Sequence, residues 1–430
     1  MTKIKNRTAL AVTPVREDLL AVIDAGLDAI DTRRVIHRFV QVVDGVISIN
    51  GNQYPASQYK KIMVVGVGKC ASDAAQELES VLGDYLTGGV VVDIKLNTEI
   101  KKIISMQGTH PLPSPENIRA AQTVVETVSM LSEDDLVIAI ISGGGSTMLC
   151  LPEDSTCDEE AAIIEVLMKR GATIEEINTV RKHLSRARGG FLAQHAYPAS
   201  VVALIFSDVP GDNMEFVASG PTIRDTTTIA DALAVLERYE VLATCNIQQC
   251  GLLETPKDEK YFKNVRNVLA VSSAVAISAM AREASMRGYS VQTSPEHVQG
   301  EAKMIGLRIA KEINDAPDRT ALLYAGETTV IVHGHGDGGR NLEAGLAAIK
   351  QGVARNCAIA FFASDGHDHG IYAGLIADQV TIDVINQKHI NIDRYLESND
   401  EYPLVHKIGQ YIETGDTGSN VSDLIIALKK

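Results

Sequence analysis

A glycine-rich loop follows a run of six apolar residues, 136–141, in the first half of the chain. Its residues are Ser142, Gly143, Gly144, Gly145 and Ser146. The apolar run predicts a buried strand, and consecutive glycines let the backbone come close to a ligand that side chains would keep away. Amide groups at the mouth of a strand, with hydroxyl groups beside them, bind anions. We predict that this loop binds a phosphate or a carboxylate, the alternative being a tight turn without a ligand.

A second glycine loop, 66–71, follows a short apolar strand and fits the dinucleotide-binding pattern G-x-G-x-x-A through Gly66 and Gly68. Asp93 ends the next predicted strand, where a ribose-binding acid stands in dinucleotide-binding folds. The same loop carries Lys69, whose cation is better suited to hold a carboxylate or a phosphoryl group in transfer. The loop therefore has two interpretations, dinucleotide binding and anion binding.

Carboxylates that could hold a metal ion stand in three further loops. Asp208 follows the predicted strand 201–206, and Glu327 follows a predicted strand that begins at residue 320. Asp365 and Asp368 follow another strand. Carboxylate oxygens are ligands that Mg²⁺ prefers, although Asp is also common in turns.

An arginine follows the last of the glycine-rich loops. Arg340 comes directly after the run 334–339, at the start of a predicted helix. A planar guanidinium group after a flexible loop suits an anion clamp or a group that stabilises a transition state. The chain contains no G-x-x-x-x-G-K-[ST] motif, so it is not a P-loop enzyme.

Composition limits the class of protein. The chain has 430 residues, 45% hydrophobic residues and no tryptophan, which predicts two domains with cores of Ala, Val, Ile and Leu. A net charge of -15 argues against nucleic acid or an anionic membrane as a partner. The six cysteines form no C-x-x-C pair, and we find no signal peptide or long apolar run. We therefore expect reduced thiols and a cytoplasmic protein.

Apolar strands alternate with helical segments along the chain, which predicts an α/β protein with a doubly wound parallel sheet. In such sheets ligands bind at the carboxyl ends of the strands, where the loops described above begin. The periodicity lapses around 244–264, which predicts a junction between domains 1–250 and 251–430. We expect the second domain to begin with the strand 268–271. Near the N-terminus, the apolar spacing predicts one helical region from about residue 17 to 43.

Several short segments occur in an order that is typical of one known family. The segments are 141–146, 178–185, 207–212, 218–222, 326–329 and 338–343, with further matches at 66–69, 110–111, 300–302 and 414–421. They span nearly the whole chain. On these segments the chain resembles the glycerate 2-kinase (MOFRL) family.

The resemblance implies an ATP-dependent kinase that phosphorylates the 2-hydroxyl of D-glycerate to 2-phospho-D-glycerate, with Mg²⁺. It implies a large Rossmann-like domain, a smaller C-terminal α/β domain and an active site in the cleft between them. The family's catalytic lysine and arginine match Lys69 and Arg340. The other expected site residues are Gly66, Gly68 and Arg181 for the substrate, the loop 142–146 and Asp208 for nucleotide phosphates, and Asp208, Glu327 and Asp365 for the metal.

Two alternatives stay open at this point: an NAD(P)-dependent hydroxypyruvate reductase and a kinase for another small hydroxy acid. Hydride transfer needs one nucleotide site and an acid or base for the carbonyl, whereas phosphoryl transfer needs positioning and charge neutralisation. Two glycine loops and a third that bears Arg340 favour the kinase. A non-enzymatic nucleotide- or metal-binding protein would leave Lys69 and Arg340 unexplained. The sequence does not decide the oligomeric state, for which a homodimer is one option.

The chain departs from the family pattern after Asp365, where His367 and His369 replace smaller residues. With His333 and His335 they could form a transition-metal site or stand on ordinary solvated turns. If His367 and His369 contact the triphosphate as cations, nucleotide affinity should weaken between pH about 6 and about 8.

Overall fold

The computed structural model describes residues 2–248 and 250–430, and only the backbone of Pro210. The strands are β1 (Val40–Val43), β2 (Val46–Ile49), β3 (Asn52–Pro55), β4 (Lys61–Val67), β5 (Gly88–Asp93), β6 (Ile103–Gln107), β7 (Asp135–Ser142), β8 (Ser200–Phe206), β9 (Val265–Val271), β10 (Ser290–Thr293), β11 (Thr320–Gly326), β12 (Cys357–Ala363), β13 (Gly374–Asp378), β14 (Tyr411–Ile412) and β15 (Asp423–Lys429).

The α-helices are α1 (Arg7–Leu10), α2 (Pro14–Ile30), α3 (Thr32–Phe39), α4 (Ala71–Leu82), α5 (Pro115–Ser129), α6 (Gly145–Met148), α7 (Cys157–Lys169), α8 (Ile174–His183), α9 (Phe191–Ala196), α10 (Ile229–Arg238), α11 (Val241–Cys245), α12 (Ser273–Met286), α13 (Ala302–Asp315), α14 (Arg340–Gln351), α15 (Gln379–Gln387), α16 (Ile392–Ser398) and α17 (Glu401–Ile408). Short 3₁₀ turns lie at Ala56–Gln58, Gly83–Tyr85, Pro210–Asp212, Val217–Ser219 and Glu259–Tyr261. Within the described ranges, no helix is both long enough and apolar enough to cross a lipid bilayer.

The chain divides into two compact units. The first unit comprises Thr32–Val209 and Asn213–Val271. The second unit comprises the N-terminal segment up to Asp31, the turn Pro210–Asp212 and Ser272–Lys430. These units are not the continuous segments 1–250 and 251–430, and the division of the chain into domains stays a prediction.

A six-stranded parallel sheet forms the centre of the first unit. Its strand order is β6-β5-β4-β7-β8-β9, and each neighbouring pair is parallel. Counted within the sheet, this is the order 3-2-1-4-5-6 of the doubly wound Rossmann fold. All eight residues of β7 are buried, as expected for a continuous apolar run in a parallel sheet. The predicted fold class is confirmed.

One local prediction was wrong. The predicted helical region 17–43 contains two helices, α2 and α3, and then the antiparallel strands β1 and β2. β-branched valines favour a strand at 40–43, and Asp44 and Gly45 both have positive φ (49° and 77°), which suits a tight hairpin turn. The predicted first strand of the second domain belongs to β9, an edge strand of the parallel sheet, where Val268 pairs with Leu204.

The second unit contains a mixed six-stranded sheet. Its order is β10-β11-β15-β12-β13-β14, with β10 parallel to β11 and the other pairs antiparallel. Helix α2 packs on this unit, and Arg16 forms a buried ion pair with Asp378 of β13, with Nε 2.6 Å from Oδ2. Because β15 runs antiparallel between β11 and β12, its first residue, Asp423, lies beside the last residues of both neighbours, Gly326 and Ala363.

Candidate functional site

The two glycine loops of the first unit lie side by side. They leave the carboxyl ends of β4 and β7, the neighbouring central strands at which the order of the sheet reverses. The amide of Lys69 donates to the carbonyl oxygen of Gly143 at 2.9 Å and so joins the loops. Ligands of doubly wound sheets bind at this kind of topological switch point.

Close approach of the loops explains two of the predicted glycines. Gly68 has a φ of 114°, and a Cβ atom there would lie 2.2 Å from Ser142 Oγ. A Cβ atom on Gly143 would lie 1.9 Å from Asp208 Oδ2. Glycine at 143 therefore allows Asp208, which follows β8, to bring its carboxylate against the loop.

Positive charge gathers beside the loop. A Cβ atom on Gly144 would be 3.2 Å from both Lys69 Cε and His110 Cδ2, so these side chains flank the glycine. The pKa of His110 is lowered to about 4. The main cause is partial desolvation of the ring, although the residue as a whole is exposed, and the charges of Lys69 and Arg181 add to it. Burial and the charge of Arg188 lower the pKa of Arg181 to about 10. At neutral pH the site thus holds a neutral His110 that is close enough to Lys69 and Arg181 for their charges to act on it.

The two serines of the loop have different surroundings. Ser142 is buried, and its hydroxyl donates to the carbonyl oxygen of Val67 at 3.2 Å, so this side chain stabilises the junction of the loops. Ser146 is half-buried, and its Oγ lies 2.9 Å from Ser219 Oγ, which in turn donates to Asn178 Oδ1. The chain of hydrogen bonds explains why short motifs around 178 and 219 accompany the glycine loop.

Asp93 occupies a structural position. It is buried, and its carboxylate accepts a hydrogen bond from the amide of Ser72, in the first turn of α4, at 3.0 Å. Burial raises the pKa of Asp93, and this contact and those of the Lys95 and Ile94 amides partly offset the rise. A carboxylate already used to cap a helix is not available to a ribose, so the G-x-G-x-x-A match loses its ribose-binding partner.

In the second unit, Arg340 lies between two carboxylates. Its Nε and Nη2 bind Asp423 Oδ2 and Oδ1 at 2.6 and 3.1 Å, and its Nη1 binds Glu327 Oε1 at 2.7 Å. Burial favours the neutral arginine, but the contact with Asp423 outweighs it and raises the pKa of Arg340. Asp423 is itself 3% exposed, and burial raises its pKa to about 6 although Arg340 works in the opposite direction.

The carboxylates after β12 position the backbone. Asp368 Oδ1 and Oδ2 accept hydrogen bonds from the amides of Asn341 and Leu342, both at 3.0 Å, and so fix the start of α14 next to Arg340. Asp365 Oδ1 accepts from the amide of His367 at 2.9 Å. Asp368 thus stabilises the start of a helix and Asp365 stabilises a turn. A metal-binding role for Asp365 stays a prediction.

Three of the four histidines have separate contacts. The Nδ1 atom of His367 lies 2.9 Å from the carbonyl oxygen of Gly370, and Nε2 of His369 lies 3.7 Å from Asp337 Oδ1. The backbone amide of His333 donates to Asn399. In the part of the chain that the structure describes, no three His, Cys, Asp or Glu side chains form a group that could hold a metal ion. The pH response proposed for His367 and His369 stays a prediction.

Two residues near the predicted catalytic side chains, His110 and Asp423, were not predicted as site residues, and Asp368 was predicted only as a possible metal ligand. His110 was noted only as part of a short matching segment, although it stands beside Lys69. Asp423 and Asp368 hold Arg340 and its helix. The segment 414–421 ends two residues before Asp423, but only the antiparallel pairing of β15 brings that carboxylate to Arg340.

Comparison with known proteins identifies the family of the chain. A family model described as a domain of unknown function (DUF4147) matches residues 18–254, and the MOFRL family model matches residues 320–423. A glycerate 2-kinase of Pyrococcus horikoshii is 34% identical, with 96% of this chain and 97% of the relative covered. A putative hydroxypyruvate reductase of Agrobacterium vitis is 35% identical, with 91% and 92% covered.

A solved structure shows the same fold. The crystal structure of a glycerate kinase from Thermotoga maritima superposes with a TM-score of 0.83 at 32% identity and covers 96% of this chain and 99% of that one. The MOFRL family model, the near full-length relative and this structure lead to one assignment. The chain belongs to the glycerate 2-kinase (MOFRL) family.

Proposed function

We propose that this protein transfers the γ-phosphoryl group of ATP to the 2-hydroxyl of D-glycerate and releases 2-phospho-D-glycerate. The observation that carries the proposal is the site at the switch point of the parallel sheet, where the Lys69 cation and the neutral His110 flank Gly144. Phosphoryl transfer depends on positioned cations and backbone amides more than on covalent chemistry. The family relatives that are named as glycerate kinases support the choice of substrate.

The charges of the site residues suggest which residue binds which part of the two substrates. Arg181 is a cation that suits the carboxylate of D-glycerate, since a guanidinium group can bind both carboxylate oxygens. Lys69 is exposed, so its ammonium group can move with the phosphoryl group and stabilise the negative charge of that group in the transition state. In this proposal the amides of 143–146 hold nucleotide phosphates, and Gly66 and Gly68 shape the substrate side of the loop.

Arg340 has the role of a clamp on the transferred group. Two of its nitrogens bind Asp423, which is almost fully buried, while Nη1 binds Glu327, which is half exposed. A phosphate can replace Glu327 at Nη1 without disturbing the Asp423 contacts. We therefore favour Glu327 as a partner that Arg340 exchanges for phosphate, and its role as a metal ligand stays a prediction.

Magnesium would fit this site, because Mg²⁺ usually needs only one or two protein carboxylates where phosphates are bound. Asp208 is the protein ligand that we propose, because Gly143 leaves space for its carboxylate against the phosphate-binding loop. When bound, the ion would neutralise negative charge on the phosphates. Asp365 stays a predicted ligand. A homodimer and a cytoplasmic location also stay predictions.

The reductase alternative is weaker on one structural point. The acid that should bind the ribose, Asp93, is buried and holds the start of α4. In addition, hydride transfer would give no role to Arg340 and the carboxylates that bind it. A kinase for another small hydroxy acid shares all the contacts described here, so only assays with different acids separate it from a glycerate kinase.

The test is an assay with purified protein, D-glycerate and Mg-ATP, in which phosphorus NMR distinguishes the 2-phosphate from the 3-phosphate. We expect 2-phospho-D-glycerate, and the Lys69→Ala variant serves as the control for contaminating kinases. Oxidation of NAD(P)H with hydroxypyruvate at a rate above that of ATP turnover would favour the reductase. ATP turnover with another hydroxy acid but not with D-glycerate would keep the kinase and change the substrate.

A further inference from the structure

Two of the six cysteines lie in contact inside the first unit. Cys150 follows α6 and Cys157 begins α7, so they are the two ends of a short loop. Both side chains are buried, and their sulfur atoms are 3.2 Å apart. A disulfide bond is about 2 Å long, so the sulfurs need to approach by only about 1 Å.

The surroundings of the pair contain a proton acceptor. The thiol of Cys150 donates to Glu160 Oε2 at 3.2 Å, and Glu160 Oε1 lies 2.8 Å from Nη2 of Arg188. Burial and the charge of Glu160 raise the pKa of Cys150, while burial also raises that of Cys157. Both thiols are therefore mostly protonated at neutral pH, and oxidation needs an added oxidant and time.

We propose that Cys150 and Cys157 form a reversible disulfide bond when the protein meets a peroxide. The geometry carries this inference: two buried sulfurs in contact, at the ends of a short loop. The other four cysteines, Cys70, Cys245, Cys250 and Cys357, are free thiols and have no such contact among the described sulfur pairs.

The oxidation proceeds in two balanced steps with hydrogen peroxide as the oxidant. The sulfur of Cys157 attacks one peroxide oxygen, the O–O bond breaks, and the products are a sulfenic acid and water. The sulfur of Cys150 then attacks the sulfur of Cys157, the S–O bond breaks, and the hydroxide leaves as water with the proton of Cys150. Two thiols thus lose two electrons, and one peroxide becomes two waters. A dithiol reductant reverses the reaction.

The bond would act on the segment after the phosphate-binding loop. Residues 149 and 151 are held by Ser185, whose Oγ donates to Leu149 O at 2.5 Å and accepts from Leu151 N at 3.2 Å. A covalent link from Cys150 to α7 restrains the same segment in the unfolded chain, which stabilises the folded state. We expect the midpoint of thermal unfolding to rise by a few degrees on oxidation and to fall again on reduction.

The experiment treats the folded full-length protein with hydrogen peroxide, denatures it and alkylates the remaining thiols. We expect alkylation to fall from six cysteines to four, and peptide mass spectrometry to find a 150–157 link that is lighter by about 2 Da than the two thiols. Dithiothreitol should restore all six reactive thiols. A protein that keeps six alkylatable cysteines, or that forms a sulfinic acid at Cys157 without a link, would overturn the proposal.

Three variants separate the pair from general oxidation. Cys150→Ser and Cys157→Ser should each abolish the link and the rise in the unfolding midpoint. Cys245→Ser removes a thiol that is only half-buried and should leave both unchanged. If Cys245→Ser also abolished the rise, the stabilisation would come from another modification. Because the mass measurement uses the wild-type chain, it decides the proposal even if a serine variant does not fold.

Discussion

Asp423→Asn tests whether the position of Arg340 matters for catalysis. The substitution keeps the shape of the side chain and removes the charge that binds Arg340 Nε and Nη2. Hydrogen bonds to charged groups are worth about 1.5–3 kcal/mol. If that free energy orients Arg340 in the transition state, the turnover number should fall about ten- to one-hundred-fold, since about 1.4 kcal/mol corresponds to a factor of ten.

Stability should behave differently from activity. Burial raises the pKa of Asp423 to about 6, above the usual value for Asp. As the pH falls from about 6 to about 4, the folded state therefore binds a proton that the unfolded state does not yet bind. Ionised Asp423 thus lowers the free energy of unfolding at neutral pH. Asparagine relieves this cost but leaves Arg340, whose pKa the Asp423 contact raises, with Glu327 as its remaining carboxylate partner in the pair. Because the two effects oppose each other, we expect a change in the unfolding midpoint that is small beside the loss of turnover. Turnover is measured below that midpoint, so that it reports on folded protein.

The pH profile gives a second readout. In the wild type, Asp423 becomes protonated as the pH falls through about 6, and the turnover number should fall with it. Asp423→Asn should lack this acidic limb. Glu327→Gln is the matched control, because Glu327 binds the same guanidinium but is 50% exposed, and exposed pairs contribute about 0–1 kcal/mol. Wild-type turnover in Asp423→Asn, or a larger loss in Glu327→Gln, would refute the positioning role.

Three further predictions concern the first unit. Lys69→Ala should lower turnover by about 10²–10³-fold without changing the unfolding midpoint, because the side chain is exposed; an active variant would show a surface cation only. Gly143→Ala places a Cβ atom 1.9 Å from Asp208 Oδ2, so Asp208 must move, and we expect KM for Mg-ATP to rise about 5- to 30-fold, to be checked by steady-state kinetics. NMR titration should find the pKa of His110 near 4, and Lys69→Met or bound D-glycerate should raise it; an unchanged value would place Lys69 and the substrate away from His110.

The sequence predicts the first unit well because its signals are local. Each parallel strand is a continuous apolar run, as in β7, and each loop begins where such a run ends. The reversal of strand order then brings the loops after β4 and β7 together, which explains why Lys69 and Gly143 could be predicted to lie at one edge of the sheet. The G-x-G-x-x-A pattern, in contrast, is equally local but does not say whether Asp93 faces a ligand or a helix terminus.

The second unit is less predictable because its important contacts are distant in sequence. Arg340 and Asp423 are 83 positions apart, and the register of antiparallel β15 decides their contact. Similarly, Arg16 and Asp378 are 362 positions apart, and their buried pair ties the N-terminal helix α2 to strand β13 of the same unit. No periodicity of apolar residues identifies such partners, since a strand pattern gives the buried face but not the neighbour.

The two partners of Arg340 differ in a way that matters for a phosphate clamp. A guanidinium group whose nitrogens were all paired with buried carboxylates would have no nitrogen that an incoming anion could easily bind. Here the buried Asp423 occupies Nε and Nη2 and fixes the plane of the group, whereas the exposed Glu327 occupies Nη1 in high dielectric, where its loss costs little. An anion can therefore bind Nη1, because Glu327, its present partner, is the one most easily replaced. We expect this asymmetry of an arginine that must bind a phosphoryl group in each turnover and then release it.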